Sequence, residues 1–295
     1  MRTLSVVLPS SLALLAWPAL LALSACSSSR TGGHNGTHDA GADLSHAGTN
    51  DFSTLGTNDG GGTGDGAVVT PTAFVYAHTD SMLYTVDPDT LAIAPVAAFG
   101  WPNGSDTMTD IALDHAGNMV GISYGSIFAI DKTTAKCTFL STFQGGSFNG
   151  LSFIANSTGS NEILVGADLN GDLYRVDSST GAQTLIGNYG SGWVSSGDLV
   201  SVEGATYATV IGTGGSDILV KVDTATGKAT QIGETGYNSI WGLGYWKQKV
   251  FGFTAQDGMV TIDVTTGKAT PAPSQTGSIS WYGAGVTTAA PITVN

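Results

Sequence analysis

Asp223-Thr224-Ala225-Thr226-Gly227-Lys228 closes a short apolar stretch, and the same turn recurs at Asp87, Asp131, Asp177 and Asp263. Each copy has Thr three residues after the Asp, and each Asp follows an apolar-apolar-variable-apolar run, at 83–86, 127–130, 173–176, 219–222 and 259–262. The steps between the Asp residues are 44, 46, 46 and 40 residues. A step of that length fits one blade of a β-propeller and is too long for a leucine-rich turn.

The turn residues explain their own recurrence. An Asp carboxylate accepts hydrogen bonds from backbone N–H groups two or three residues on, Thr makes a similar local bond, and Gly supplies the positive φ that closes the turn. The five Asp residues are therefore expected to be strand connectors, since a local bond accounts for each of them.

Each repeat divides into four strands. In the third copy these are 151–154, 162–167, 173–176 and 183–186, with Asn170-Gly171 as the hairpin between the middle two. Second strands are expected at 74–77, 119–122, 207–211 and 250–253, and Asp257-Gly258 is the corresponding hairpin of the last copy. The first copy begins directly at a second strand, while 281–286 reads as an inner strand with no blade after it. Joining the two completes a blade and removes the open edges. The fold class expected is all-β: a propeller of five four-stranded blades, or six if one has diverged, closed by pairing of its terminal strands. Pro95, Pro271 and Pro273 all fall in outermost strands, where a missing N–H costs no ladder bond.

Composition agrees with many short strands and tight turns. Only 11% of the residues are charged and 42 are Gly. The net charge of -13 would repel a phosphate backbone, so nucleic acid is not an expected partner.

The amino terminus carries an address. Arg2 precedes an apolar run from Leu4 to Leu23, which ends Leu23-Ser24-Ala25-Cys26. This resembles the lipobox of bacterial lipoproteins, which implies cleavage before Cys26, acylation of that residue and anchoring by several chains. By the same resemblance, Ser27 favours the outer membrane. Residues 1–25 are then the signal peptide and 26–70 a Gly-, Ser-, Thr-, Asp- and His-rich tether too polar to pack. The propeller would span 71–290, and 291–295 would be a tail. Three His residues of the tether, His34, His38 and His46, are read as part of its soluble composition, so no metal is expected. With Cys26 lipidated, Cys137 is the one thiol left and no internal disulfide forms.

The stretches 219–228 and 174–181 resemble blade motifs of the quinoprotein-like and YVTN-type propeller superfamily. That likeness implies architecture rather than activity, because the superfamily spans enzymes and scaffolds. Its quinone-dependent enzymes carry Trp in the outer strand after the Thr-Gly turn. Here that strand reads Thr184-Leu185-Ile186, Thr230-Gln231-Ile232 and Thr270-Pro271-Ala272, so no quinone cofactor is expected.

Candidate chemistry is sparse. Asp168, Asn170 and Asp172 have the alternate spacing of a calcium loop but lack its Gly and terminal Glu, and a hairpin explains them better. Trp101, Trp193, Trp241 and Trp281 lie in or beside the connectors that lead into inner strands, as do Asp110, Asn149, Asp198 and Tyr282. These eight residues are the expected ligand site at one channel mouth, unless the Trp residues serve as wedges between blades. Asp110 and Asp198 open the inner strands of nonadjacent blades and would face each other. The function expected is a noncatalytic binding or scaffold module, monomeric, with a protein or glycan ligand and no cofactor. The alternative is a carbohydrate-active hydrolase or lyase using that carboxylate pair.

Overall fold

The computed structural model describes residues 75–155, 159–256, 258–272 and 279–294. The signal peptide, Cys26, the tether with its His residues, and Phe74, Asp257 and Pro273 lie outside the described residues.

Five four-stranded antiparallel sheets form the blades of a propeller, and the described residues contain no helix. The first blade begins with β1 (Val75–His78), β2 (Met82–Val86) and β3 (Ile93–Ala98). The second is β4 (Asp110–Leu113), β5 (Met119–Ile122), β6 (Ser126–Ile130) and β7 (Cys137–Thr142). The third runs through β8 (Gly150–Ile154), β9 (Ile163–Ala167), β10 (Asp172–Val176) and β11 (Gln183–Asn188). In the fourth, β12 (Ser195–Val202) and β13 (Ala205–Ile211) are followed by β14 (Asp217–Val222) and β15 (Ala229–Glu234). The fifth comprises β16 (Ile240–Trp246), β17 (Lys249–Thr254), β18 (Met259–Asp263) and β19 (Ala269–Pro271).

The ring closes through β20 (Gly283–Gly285), which supplies the inner strand of the first blade by pairing Tyr76 with Gly285 and His78 with Gly283. Beyond β20 the chain continues across the turns that join inner to second strands. Thr287 Oγ1 donates to the carbonyl of Asp114, Thr288 Oγ1 donates to Glu162 Oε1, and the Pro291 carbonyl accepts the Lys247 N–H. Three blades are thereby tied to the closing strand. Pro95 and Pro271 lie in β3 and β19, both outermost.

The recurring turn works as its residues demand. Asp131 Oδ1 accepts the N–H groups of Thr133 and Thr134 at 2.8 and 3.0 Å, and Thr134 Oγ1 accepts the N–H of Lys136. The Thr133 hydroxyl also donates to Asp131 Oδ1 at 2.6 Å, and that bond, with the two N–H groups, favours the ionised form and holds the carboxyl below its usual range. The closing residue is in the left-handed region, as Gly in the last three copies but as Leu91 and Ala135 in the first two.

Two further devices shape the ring. In four blades the pairing of third with fourth strand skips one residue, at Val96, Leu140, Ile186 and Ile232. Each skipped residue is half-buried against a core cluster, so the bulge turns one more apolar side chain inward. The turns also lock neighbouring blades together. Gly187 and Gly233 in outer strands lie directly on the Thr226-Gly227 and Thr266-Gly267 turns of the next blade, where any Cβ would strike backbone.

Candidate functional site

The inner strands approach one another backbone to backbone. A Cβ at Gly197 would lie 2.5 Å from Trp241 Cα, and one at Gly242 would lie 2.6 Å from the Gly283 carbonyl carbon. At these two positions any side chain would strike the backbone of the next blade. The residue just before this level in each blade turns instead toward the channel mouth. Those five residues are Thr109, Asn149, Ser196, Trp241 and Tyr282, and together they line a cavity of about 260 Å³. Tyr124 and Leu169, from the hairpins between second and third strands of two adjacent blades, complete its rim and are 66% and 68% exposed. Trp241 and Tyr282 form an edge-to-face corner, with ring centroids 5.6 Å apart at 77°.

The eight residues singled out by sequence divide into three groups. Asn149, Trp241 and Tyr282 line the cavity. Asp110 and Asp198 lie beneath it, in the strands that follow Thr109 and Gly197, with no exposed surface. The remaining three pack between blades. Trp281 is fully buried against Tyr84 and Phe253, 5.2 and 5.4 Å away, while Trp101 packs on Phe99 and Phe128 and Trp193 on the core between the third and fourth blades.

The two buried carboxyls stitch the ring. Asp110 accepts the N–H of Ile111 in its own strand at 2.8 Å and that of Leu151 in the next blade at 2.6 Å. Asp198 does the same with Leu199 and Leu243, both at 2.6 Å. Burial raises the pKa of both well above the ordinary Asp range, and the Asp198 charge adds to the effect on Asp110.

His78 completes this buried polar centre. Its Nδ1 lies 2.8 Å from the Thr79 carbonyl and therefore carries the proton, while Nε2 has no partner and stands 3.9 Å from Asp110 Oδ1. Burial pushes the imidazole down to about 4, against the smaller opposing effects of the Thr79 carbonyl and Asp80. Gly283 packs directly over His78 Nε2 and Asp110 Oδ1.

Sequence reasoning missed Thr109, Ser196 and Asp217. Asp217 opens β14 and is buried, and it accepts Ser196 Oγ–H at 2.6 Å and the Ile240 N–H at 2.8 Å. Burial raises its pKa despite those bonds. A partial signal was available: Thr109, Asn149, Trp241 and Tyr282 directly precede Asp110, Gly150, Gly242 and Gly283, whereas Ser196 lies one residue further from Asp198, the counterpart of Asp110, in a strand whose register is irregular. Among the described residues no group of three or more His, Cys, Asp and Glu side chains is arranged to hold a metal ion.

No protein-family model matches the chain, and no curated protein matches it. Solved structures of similar shape include the computationally designed Ika8 protein, at 16% identity with a TM-score of 0.34, covering 68% of this chain and 58% of that one. BamB from Moraxella catarrhalis aligns at 18% identity with a TM-score of 0.34, covering 67% and 60%. A protein of unknown function from Bacteroides thetaiotaomicron aligns at 14% identity with a TM-score of 0.45, covering 61% and 53%. The chain thus spans a little over half the length of these structures.

Proposed function

We propose that this chain is a lipid-anchored protein of the bacterial envelope whose propeller binds a ligand or protein partner, without catalysis, at the channel mouth. The observation that carries the binding reading is the cavity itself: about 260 Å³, bounded by one residue from every blade and cornered by Trp241 and Tyr282. Aromatic surfaces kept partly exposed at a concave, largely preformed site are typical recognition anchors. A hydrolase needs two carboxyls on either side of a substrate. Asp110 and Asp198 instead accept four backbone N–H groups beneath the floor and have no exposed surface.

The test is to screen the full-length protein against glycan and peptide arrays with two Trp variants beside it. Trp241→Ala should lose binding with little change in melting temperature, whereas Trp281→Ala should lose roughly 3 to 5 kcal/mol of stability, as expected for a buried aromatic. Trp241→Ala that binds normally would place the ligand elsewhere. The anchor is tested separately: Cys26→Ser should abolish labelling by a fatty-acid analogue, and continued incorporation would refute the lipoprotein reading.

A further inference from the structure

We propose that the channel-mouth cavity takes a positively charged primary amine, the ammonium end of a lysine side chain or of a small alkylamine. This rests on the reading above that the cavity is the ligand site, and it follows from a hydrogen-bond inventory of the lining. Thr109 Oγ1 spends its proton on the Ile122 carbonyl at 3.1 Å, and Ser196 Oγ spends its proton on Asp217 Oδ2 at 2.6 Å. Both hydroxyls then offer only lone pairs to an occupant. Asn149 adds an Oδ1 that is buried without a partner. These three oxygens thus favour a donor, while the lining also holds donors of its own in the Trp241 indole N–H, the Tyr124 and Tyr282 hydroxyls and the Asn149 amide.

The aromatic and electrostatic surroundings select a charged one. Trp241, Tyr282 and the exposed Tyr124 bring electron-rich faces to the cavity, which attract cations. No Lys or Arg is among the lining residues. Behind Ser196 stands the Asp217 carboxyl, and the chain as a whole carries a net charge of -13. An anion would meet lone pairs, π faces and a carboxyl together. A neutral sugar would satisfy the acceptors but leave Asp217 without a counter-charge. An ammonium group answers all three, because its compact head directs three N–H donors to separate acceptors; a planar guanidinium is built for paired ones.

The test is a tryptophan-fluorescence and calorimetric titration of the full-length protein at low salt with n-butylammonium, its neutral counterpart 1-butanol, methyl glucoside, and peptides with and without Lys. Butylammonium should bind about tenfold more tightly than butanol, the range expected from cation–π contact with partial desolvation. Asp217→Asn should remove most of that preference. Tyr282→Leu, which keeps apolar volume but loses the π face, serves as a second variant should Asp217→Asn fold poorly, and it should also narrow the gap. A Lys peptide that outbinds butylammonium would assign the amine to a protein partner, and equal affinity would assign it to a small amine. Equal affinity for butanol and butylammonium, or no amine binding at all, overturns the proposal. If glucoside or a Lys-free peptide binds instead and Trp241→Ala abolishes it, the ligand site stands and the amine assignment fails. If no probe responds to Trp241→Ala, the site reading fails as well.

Discussion

Replacing His78 by Asn should unmask a pH dependence of stability that the unaltered protein hides below pH 6.5. Asp110 and Asp198 are fully buried, and burial raises both carboxyls well above the ordinary value of 3.8 that they take in the unfolded chain. As pH rises above about 4 the folded state therefore holds a proton that the unfolded state has lost. Stability then falls, with a slope of about 1.4 kcal/mol per pH unit for each proton retained. His78 acts in the opposite sense. It stays neutral in the fold down to about 4, while the unfolded imidazole takes up a proton below 6.5. Its contribution is complete above pH 6.5 and is lost as pH falls toward 4, with the same slope reversed.

The two effects oppose each other between about pH 4 and 6.5, so the fall from the carboxyls is offset there by the rise from His78. Asn at position 78 keeps an N–H for the Thr79 carbonyl but does not titrate, so in His78→Asn the decline should begin near pH 4. Asp217, whose pKa burial also raises, adds a fall common to both proteins and cancels in the difference. The turn carboxyls such as Asp131, held low by their hydrogen bonds, lose their contribution only below the ordinary Asp range. Urea midpoints measured from pH 4 to 8.5 at constant ionic strength would decide the matter. Parallel curves for the two proteins between pH 4 and 6.5, or a stability that rises from pH 7 to 8.5, would refute the reasoning.

Two further outcomes follow from the ring. Deleting residues 279–295 removes β20, the buried Trp281 and the ties from Thr287, Thr288 and Pro291, and it exposes the ladder of β1; the truncated protein should melt earlier or aggregate, and an unchanged melting temperature would mean closure by other means. Gly227→Ala places a Cβ at φ +73 and 2.7 Å from the Gly187 carbonyl carbon, so it should cost at least about 1 to 2 kcal/mol in denaturant unfolding, whereas a neutral result would deny the turn its role in locking blades.

What could be read directly from the residues was local chemistry. The Asp-Thr turn carries its own hydrogen bonds, so the third strands were placed within two residues of their observed bounds. Ring closure was legible because a first copy without an inner strand and a last copy with a spare one complement each other. The outer-strand bulges were not legible, since a skipped Val96 or Ile186 looks like any other apolar strand residue until its partner strand is known. Nor was the turn's second role, because contact between Gly187 and Gly227 depends on how adjacent blades meet. The bond from Ser196 to Asp217 joins different strands across 21 residues, beyond the reach of any local pattern.

The Trp residues show how side chains alike in type can occupy different surroundings. Each connector into an inner strand ends in a pair of residues before the closest approach of the blades, and its earlier member is buried while its later one reaches the cavity, which Phe148 of the third blade also lines. The earlier members, Met108, Phe148, Ser195, Ile240 and Trp281, are buried. The later ones, Thr109, Asn149, Ser196, Trp241 and Tyr282, face the cavity. Trp241 and Trp281 look alike when connectors are compared by aromatic content, but they differ by one residue when the strands are aligned on Gly242 and Gly283. That single step separates a side chain that holds two blades together from one available to a ligand. For Trp241 and Trp281, position relative to Gly242 and Gly283 therefore tells the two side chains apart where residue type alone does not.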